Sequence, residues 1–389
     1  MKKVLLIHNI LWSHYKAGVF TELNHLLASD GYDFLVVHIS PKGNAQKNHG
    51  DVDLDMHQYP FKVLFEEDYE ELGNLRKSAS VCKKIISYKP DILILPGYNE
   101  IFCWFALISA KLLMIHIIIS CDSTAMDRPR FWYKEALKKF FVRRCSVGFC
   151  YGIKSAEYLN TLGMPTTDIF LRCQAINNEE IAAIHESVHA VRKEFLTATG
   201  FKQHNFIFVG RLNPIKNIEH LIKAFAILKN TNALALSWGL IVVGDGPQKE
   251  ELISICTELK VCDVYFVGGK SWREVPKFHA LADVLVLPSI SEPWGLVINE
   301  AMACSMPVLV SKYCGAAYDL VYVGENGFIF DPFDKEELIN WLNYFVTHHK
   351  RIEKMGMRSR EIISGYSSKN AAKQMYNGID RLLNHRIKH

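Results

Sequence analysis

Glu292 and Glu300 bracket the segment Pro293-Trp294-Gly295-Leu296-Val297-Ile298-Asn299. An apolar strand pattern, Val284–Leu287, ends shortly before them, and a helix is expected to begin near Gly295-Leu296. The first N–H groups of a helix lack intrahelical acceptors and carry the positive end of its dipole, so such a tip is an anion site. Eight residues at ~1.5 Å rise reach at most about 12 Å, enough to set one carboxylate on each side of a diphosphate at the tip. One acid could accept hydrogen bonds from sugar hydroxyls and the other from ribose hydroxyls. The plainer alternative makes Glu292 an acid favoured by the helix end and Glu300 a surface residue. That alternative accounts for neither the Gly-Leu at the helix start nor a basic loop upstream.

The basic loop is Gly210-Arg211-Leu212-Asn213-Pro214-Ile215-Lys216, which follows the strand pattern Phe206–Val209. Gly210 permits a tight turn at a strand's carboxyl end, the usual ligand edge of an open α/β sheet. Arg211 would offer a fork and Lys216 a point charge to a diphosphate. Read alone, both could equally be solvated surface charges. Gly244-Asp245-Gly246-Pro247, after the next strand pattern, is good turn chemistry whatever its function.

These residues need strands that end at one edge, and the chain supplies them. Strand patterns at Val4–His8, Phe34–His38, Ile92–Leu95, Ile115–Ser120 and Val147–Cys150 alternate with helical stretches such as Val19–Ser29 and Leu72–Ser87. A second series follows at Phe206–Val209, Leu240–Val243, Val264–Val267, Val284–Leu287, Val308–Val310 and Gly327–Phe330. Such alternation specifies βαβ units and parallel sheets. The expected architecture is α/β, two doubly wound Rossmann-like domains facing a central cleft. The expected division is residues 1–176, an inter-domain connection at 177–200, a second domain at 201–365, and a C-terminal helix at 366–389 packing back toward the first domain.

The totals agree with two globular domains. The chain has 389 residues, 49% hydrophobic and 22% charged, with a net charge of +4. The charge is too weak to predict nucleic-acid binding but suits an anionic substrate or membrane surface. Ten scattered cysteines without a Cys-x-x-Cys pair fit a reducing cytoplasm rather than a zinc site or a disulfide framework. The apolar run Ile101–Ile119 imitates a membrane span, but Lys111 interrupts it. It splits into a helical half and a β-branched half, with His116 expected mid-strand in a packed core. Residues 128–144, with Arg128, Arg130, Phe131, Trp132, Tyr133, Lys134, Lys138, Lys139, Arg143 and Arg144, form a basic aromatic helical stretch. It could rest on an anionic membrane or hold a lipid diphosphate, or be a solvated face with its aromatic rings buried.

Glu292 through Ala303 resembles the donor motif of the family-four retaining glycosyltransferases of GT-B fold, the group 1 type. Gly210-Arg211-Leu212 with Lys216, Gly244-Asp245-Gly246-Pro247, Pro288-Ser289 and Pro307-Val308 follow in that family's order. Asp122-Ser123-Thr124 and Asp127-Arg128-Pro129-Arg130 look like one bacterial branch. The resemblance implies that Glu292 contacts the transferred sugar and Glu300 holds the ribose. Arg211 and Lys216 would bind the diphosphate with the N–H groups of Gly295 and Leu296. Gly268, Gly269 and Lys270 would line the base pocket. It implies a retaining transfer from a nucleotide diphosphate sugar, UDP- or GDP-linked, as co-substrate, with no other cofactor and no metal. The acceptor would be a glycan, a lipid-linked molecule or a small molecule, in cell-surface polysaccharide or glycolipid synthesis. The enzyme would be cytoplasmic, or peripheral on the inner face of the membrane.

The chain also departs from that pattern. Its segment after the first strand, His8 to Gly18, has one glycine, so Lys16 and Gly18 are the residues left to approach the diphosphate or the acceptor. Asp122 or Ser123 takes the loop position where relatives often carry a histidine that touches the donor sugar. A nucleotide-sugar epimerase on the same fold, or a non-catalytic nucleotide-sugar-binding protein, are the competing readings. A nicotinamide dehydrogenase is disfavoured, since no Gly-x-Gly-x-x-Gly follows either first strand.

Overall fold

The computed structural model describes residues 1–44, 52–126 and 130–384. Asp127, Arg128 and Pro129 lie outside the described residues. The chain divides into two units, residues 1–176 together with the segment from Tyr366 onward, and residues 177–365.

The first unit holds seven parallel strands: β1 Lys3–Ile10, β2 Asp33–Ser40, β3 Phe61–Val63, β4 Ile92–Leu95, β5 His116–Cys121, β6 Val147–Cys150 and β7 Ile169–Leu171. Their order is β3-β2-β1-β4-β5-β6-β7. The sequence pattern missed β3 and β7. Both are three-residue edge strands, Phe61-Lys62-Val63 and Ile169-Phe170-Leu171, too short to display a period. The central strands read as unbroken apolar runs because both faces are covered. In β1, Leu5 and Ile7 join one core with Val37 and Leu93, while Val4 and Leu6 join the other with Phe20, Leu23 and Val36. The C-terminal helix Ser368–Asn384 supplies Ala371, Ala372, Met375 and Ile379 to that second core.

The apolar run at residues 101–119 resolves into the helix Ile101–Leu112 and strand β5. No helix among the described residues is long and apolar enough to cross a membrane. His116 corrects an expectation: it opens β5 at the amino edge and is half-buried, not packed mid-strand.

The second unit holds β8 His204–Val209, β9 Trp238–Val243, β10 Val264–Gly268, β11 Val284–Leu287, β12 Val308–Ser311 and β13 Gly327–Phe330. They are parallel in the order β10-β9-β8-β11-β12-β13. Residues 177–200, expected as a connection, instead form helices Asn178–His189 and Arg192–Thr199 within this unit. The Asn177 side chain caps the first by accepting from the Glu180 N–H at 3.2 Å. Arg192 ties the second to the start of β11 through Asp283, at 2.8 Å.

Both sheets are therefore doubly wound and reverse direction beside their first strand, between β1 and β4 and between β8 and β11. In open α/β sheets the carboxyl edge at that reversal is where a ligand crevice opens.

Candidate functional site

In the second unit the sequence-predicted residues gather at the carboxyl edge on both sides of the β8/β11 reversal. Gly210 leaves β8 with φ +156° and donates its N–H to the Val243 carbonyl at 3.0 Å. Gly244 leaves β9 with φ +148° and donates to the Gly268 carbonyl at 3.0 Å. A Cβ on Gly244 would fall 1.8 Å from the Gly210 carbonyl oxygen, so these two turns can touch only because residue 244 is glycine. The loop after β10 joins them: Gly269 lies against Asp245, its Cβ direction 3.8 Å from the Asp245 Cβ.

Beyond Gly210 the chain makes a short 3₁₀ turn, Pro214–Lys216, before the helix Ile218–Thr231. That turn is bound to the loop after β11 by the Ile290 N–H donating to the Ile215 carbonyl at 2.9 Å. Glu292 is fixed through its backbone: its N–H reaches the Tyr313 carbonyl at 3.1 Å and its carbonyl accepts from Gly315 at 2.9 Å. The result is that the Lys216 Nζ donates to Glu292 Oε2 in an ion pair whose side chains are mostly buried. The helix Leu296–Ala303 starts beside this pair. Its cap Gly295 has φ +96°, and a Cβ there would lie 3.3 Å from the Glu292 Cγ. The basic turn, the acid and the helix tip thus share one place. A buried hydrogen bond from Trp294 Nε1 to Asn299 Oδ1, 2.9 Å long, braces the loop against the helix. Sequence spacing gave no sign of this brace, because an indole and an amide five residues apart carry no pattern of their own.

Glu300 lies further along the same helix, half-buried. No cation pairs with it among the described residues, and burial pushes its carboxyl up to about 7. The two acids therefore differ: Glu292 faces an ammonium, whereas Glu300 is desolvated without compensation. Arg211 is exposed on the shared loop, with no ion pair among the described residues. Lys270 is half-buried, its Nζ 5.5 Å from the centre of the Phe278 ring.

In the first unit the loop after β1 is short, and the helix His14–Ser29 begins at once. Gly18, expected to approach a donor or acceptor, lies inside this helix, where a Cβ would meet the Ser368 Oγ at 3.1 Å. Its small size serves packing of the C-terminal helix. Lys16, in the first turn, lines a cavity of about 130 Å³ with His8, Asp122, Tyr151 and Arg172. Asp122 is exposed just past the end of β5. Tyr151 and Arg172 follow β6 and β7 directly and were not singled out from sequence. Without β7 in the reading, nothing placed Arg172 at a strand end.

Residues 192–362 match the family model of the glycosyl transferases group 1. An uncharacterized glycosyltransferase of Methanocaldococcus jannaschii is 40% identical over 28% of this chain and 27% of its own length. Sulfoquinovosyl transferase SQD2 of Arabidopsis thaliana is 24% identical over 78% of this chain and 59% of its own. The matched regions thus span less than two thirds of both relatives' length. Among solved structures, Anabaena HepE in complex with UDP-glucose superposes with a TM-score of 0.74 at 19% identity, covering 98% of this chain and all of that one. The fold is GT-B, and residues 192–362, somewhat less than half of the chain, are similar to the glycosyl transferases group 1 family.

Proposed function

We propose that this protein is a retaining glycosyltransferase whose second domain holds a nucleotide diphosphate sugar. One observation carries the reading: Lys216, Glu292 and the Gly295 helix tip meet at the switch point of the second sheet. Departure of the nucleotide diphosphate breaks the bond from the anomeric carbon and leaves negative charge on phosphate oxygens. Arg211, Lys216 and the N–H groups of Gly295 and Leu296 stabilise that charge in the transition state, the task a divalent cation performs elsewhere. Glu292 orients the sugar hydroxyls, and Glu300 holds the ribose. Gly268, Gly269 and Lys270 border the base, with Gly210 and Gly244 shaping the floor. The likeness to HepE, which is known with UDP-glucose, supports a nucleotide-sugar donor of UDP or GDP type. No cofactor beyond this donor takes part.

The test is a panel of nucleotide sugars screened by thermal shift, followed by product analysis. A donor at 100 times its dissociation constant adds about 2.7 kcal/mol of stability. We expect one donor class to stabilise the protein and its sugar to reach an acceptor with the anomeric configuration retained, at an unchanged rate in EDTA. An inverted product, or donor consumed with no acceptor product, contradicts the reading.

The acceptor is a glycan or lipid-linked molecule of cell-surface polysaccharide or glycolipid synthesis, handled on the first domain with Asp122 nearby. The enzyme works in the cytoplasm, peripheral on an anionic membrane. What supports the membrane is a surface that burial does not explain. The helix Ile101–Leu112 exposes Ile101, Phe105, Ile108 and Leu112, one apolar stripe at helical spacing. Beside it, Trp104 stacks on Phe140 at 6.4 Å, which joins it to the helix Trp132–Val142. That second helix exposes Trp132, at 84%, with Tyr133, Leu137 and Phe140, so that of its four rings only Phe141 is buried on the hidden face. Lys111, Lys134, Lys139, Arg143 and Arg144 are exposed around them, the composition of an interfacial helix pair. Arg130 and Lys138 are held inward by Tyr158 and Glu135. The protein is expected to sediment with vesicles containing anionic lipid, and Trp132→Ser with Arg143→Glu to abolish this. Equal sedimentation of both proteins contradicts the membrane contact.

A further inference from the structure

The cavity at the switch point of the first sheet contains two cations that the donor chemistry does not use. Lys16 comes from the first turn after β1, and Arg172 follows the end of β7. Arg172 is only 4% exposed, and its Nε is buried without a hydrogen-bond partner. Neither cation has a carboxylate within ion-pair distance among the described residues; Asp122 lines the cavity but is exposed. Tyr151 lies between them, with the Arg172 Cζ 4.7 Å and the Lys16 Nζ 5.6 Å from its ring centre. Arg172 is buried and Lys16 half-buried, and two such cations without a carboxylate partner are costly unless an anion joins them. The volume, about 130 Å³, is on the scale of cavities that hold one small molecule, so a phosphate group has room there.

We propose that this cavity binds the phosphate group of a phosphorylated acceptor, gripped by Lys16 and Arg172 beside the Tyr151 hydroxyl. Two unpaired cations match a dianionic phosphate better than a single carboxylate. His8 contributes no charge, because burial and then Lys16 hold its imidazole well below the usual range. Tyr151 reports on the same field. Burial would raise its phenol, but Lys16 and Arg172 outweigh burial and bring it below the ordinary value. The proposal rests on the transferase reading for the word acceptor only; the anion site stands without it.

The experiment titrates tyrosine ionisation in the full chain by ultraviolet difference absorbance, in chloride and in inorganic phosphate of equal ionic strength, with Tyr151→Phe as the blank. Bound phosphate opposes the phenolate charge, so the Tyr151 ionisation is expected to move to higher pH in phosphate. Arg172→Gln is expected to remove that movement and leave the thermal shift by nucleotide sugars unchanged. It is also expected to raise the acceptor KM ~10-fold or more, with partial rescue by Arg172→Lys. A hexose phosphate and a vesicle bearing a phosphorylated lipid serve as competing probes, and whichever displaces inorganic phosphate identifies the source. An ionisation of Tyr151 indifferent to phosphate overturns the proposal, as does an unchanged response in Arg172→Gln. Loss of donor binding in the wild type would instead refute the transferase reading and leave the Tyr151 result standing.

Discussion

Lys216→Ala is expected to lower kcat/KM for the sugar donor by ~10²–10³-fold, the cost of removing one preorganised stabiliser of a developing oxyanion. The ammonium stands at the mouth of the second sheet's switch point, paired with Glu292 beside the helix tip. In the proposed reaction it meets the charge that builds on the departing phosphate, an interaction stronger in the transition state than before it. The loss should therefore fall on kcat as well as on KM. The Lys216 and Glu292 side chains are only 17% and 16% exposed, so removing the ammonium leaves a largely desolvated carboxylate and should also lower stability, by ~1–3 kcal/mol once residual solvent screening is allowed for. Lys216→Arg keeps the charge and should recover much of the activity, though a planar fork does not reproduce a point charge. Steady-state kinetics beside a melting curve separate these effects. Activity of Lys216→Ala within threefold of wild type would remove Lys216 from the mechanism.

Glu300→Gln should stabilise the protein above neutral pH and weaken donor binding. Burial raises the Glu300 carboxyl from 4.5 to about 7. Between these values the unfolded chain has released a proton that the folded chain retains, so stability falls as pH rises through that window and stays lower above it. A shift of this size corresponds to on the order of 3 kcal/mol. Glutamine carries no such penalty. The variant should melt a few degrees higher at pH 8, and the gain should vanish near pH 4.5. Donor affinity should move the other way. A carboxylate accepting from two ribose hydroxyls gives charge-assisted bonds that an amide cannot match, so the donor KM should rise ~10-fold. In the wild type, donor affinity should improve as pH passes 7, and in Glu300→Gln that slope should be absent. A variant destabilised at pH 8, with donor affinity intact, would show that Glu300 is a structural acid.

Some of this was legible in the sequence and some was not, for physical reasons. Buried parallel strands announce themselves as apolar runs, so β4, β6, β11 and β13 were read to the residue. The edge strands β3 and β7 were invisible because three residues cannot show a period. The donor-side residues were legible because glycine, a cation and an acid at strand ends are few and closely spaced along the chain. The Gly244–Gly210 contact was only half legible: glycine marked a turn, but the approach of two turns is a tertiary fact. Gly18 misled because glycine after a first strand suggests a ligand loop, whereas here it lets the C-terminal helix approach. Residues 177–200 looked like a connection for want of a strand, yet their helices belong to the second unit. The cation pair Lys16 and Arg172 joins residues far apart in sequence, and only the sheet order brings them together.

The central claim is that the second domain grips a diphosphate with a basic turn and a helix tip. Calorimetric titration with UDP, GDP and the matching monophosphates and nucleosides, on wild type and on Arg211→Ala with Lys216→Ala, reads this directly. The account predicts that one nucleoside diphosphate binds far more tightly than its monophosphate, and that the double substitution abolishes this difference while leaving nucleoside binding in place. Equal affinity for diphosphate and monophosphate, or a double variant that binds the diphosphate as wild type does, would contradict it.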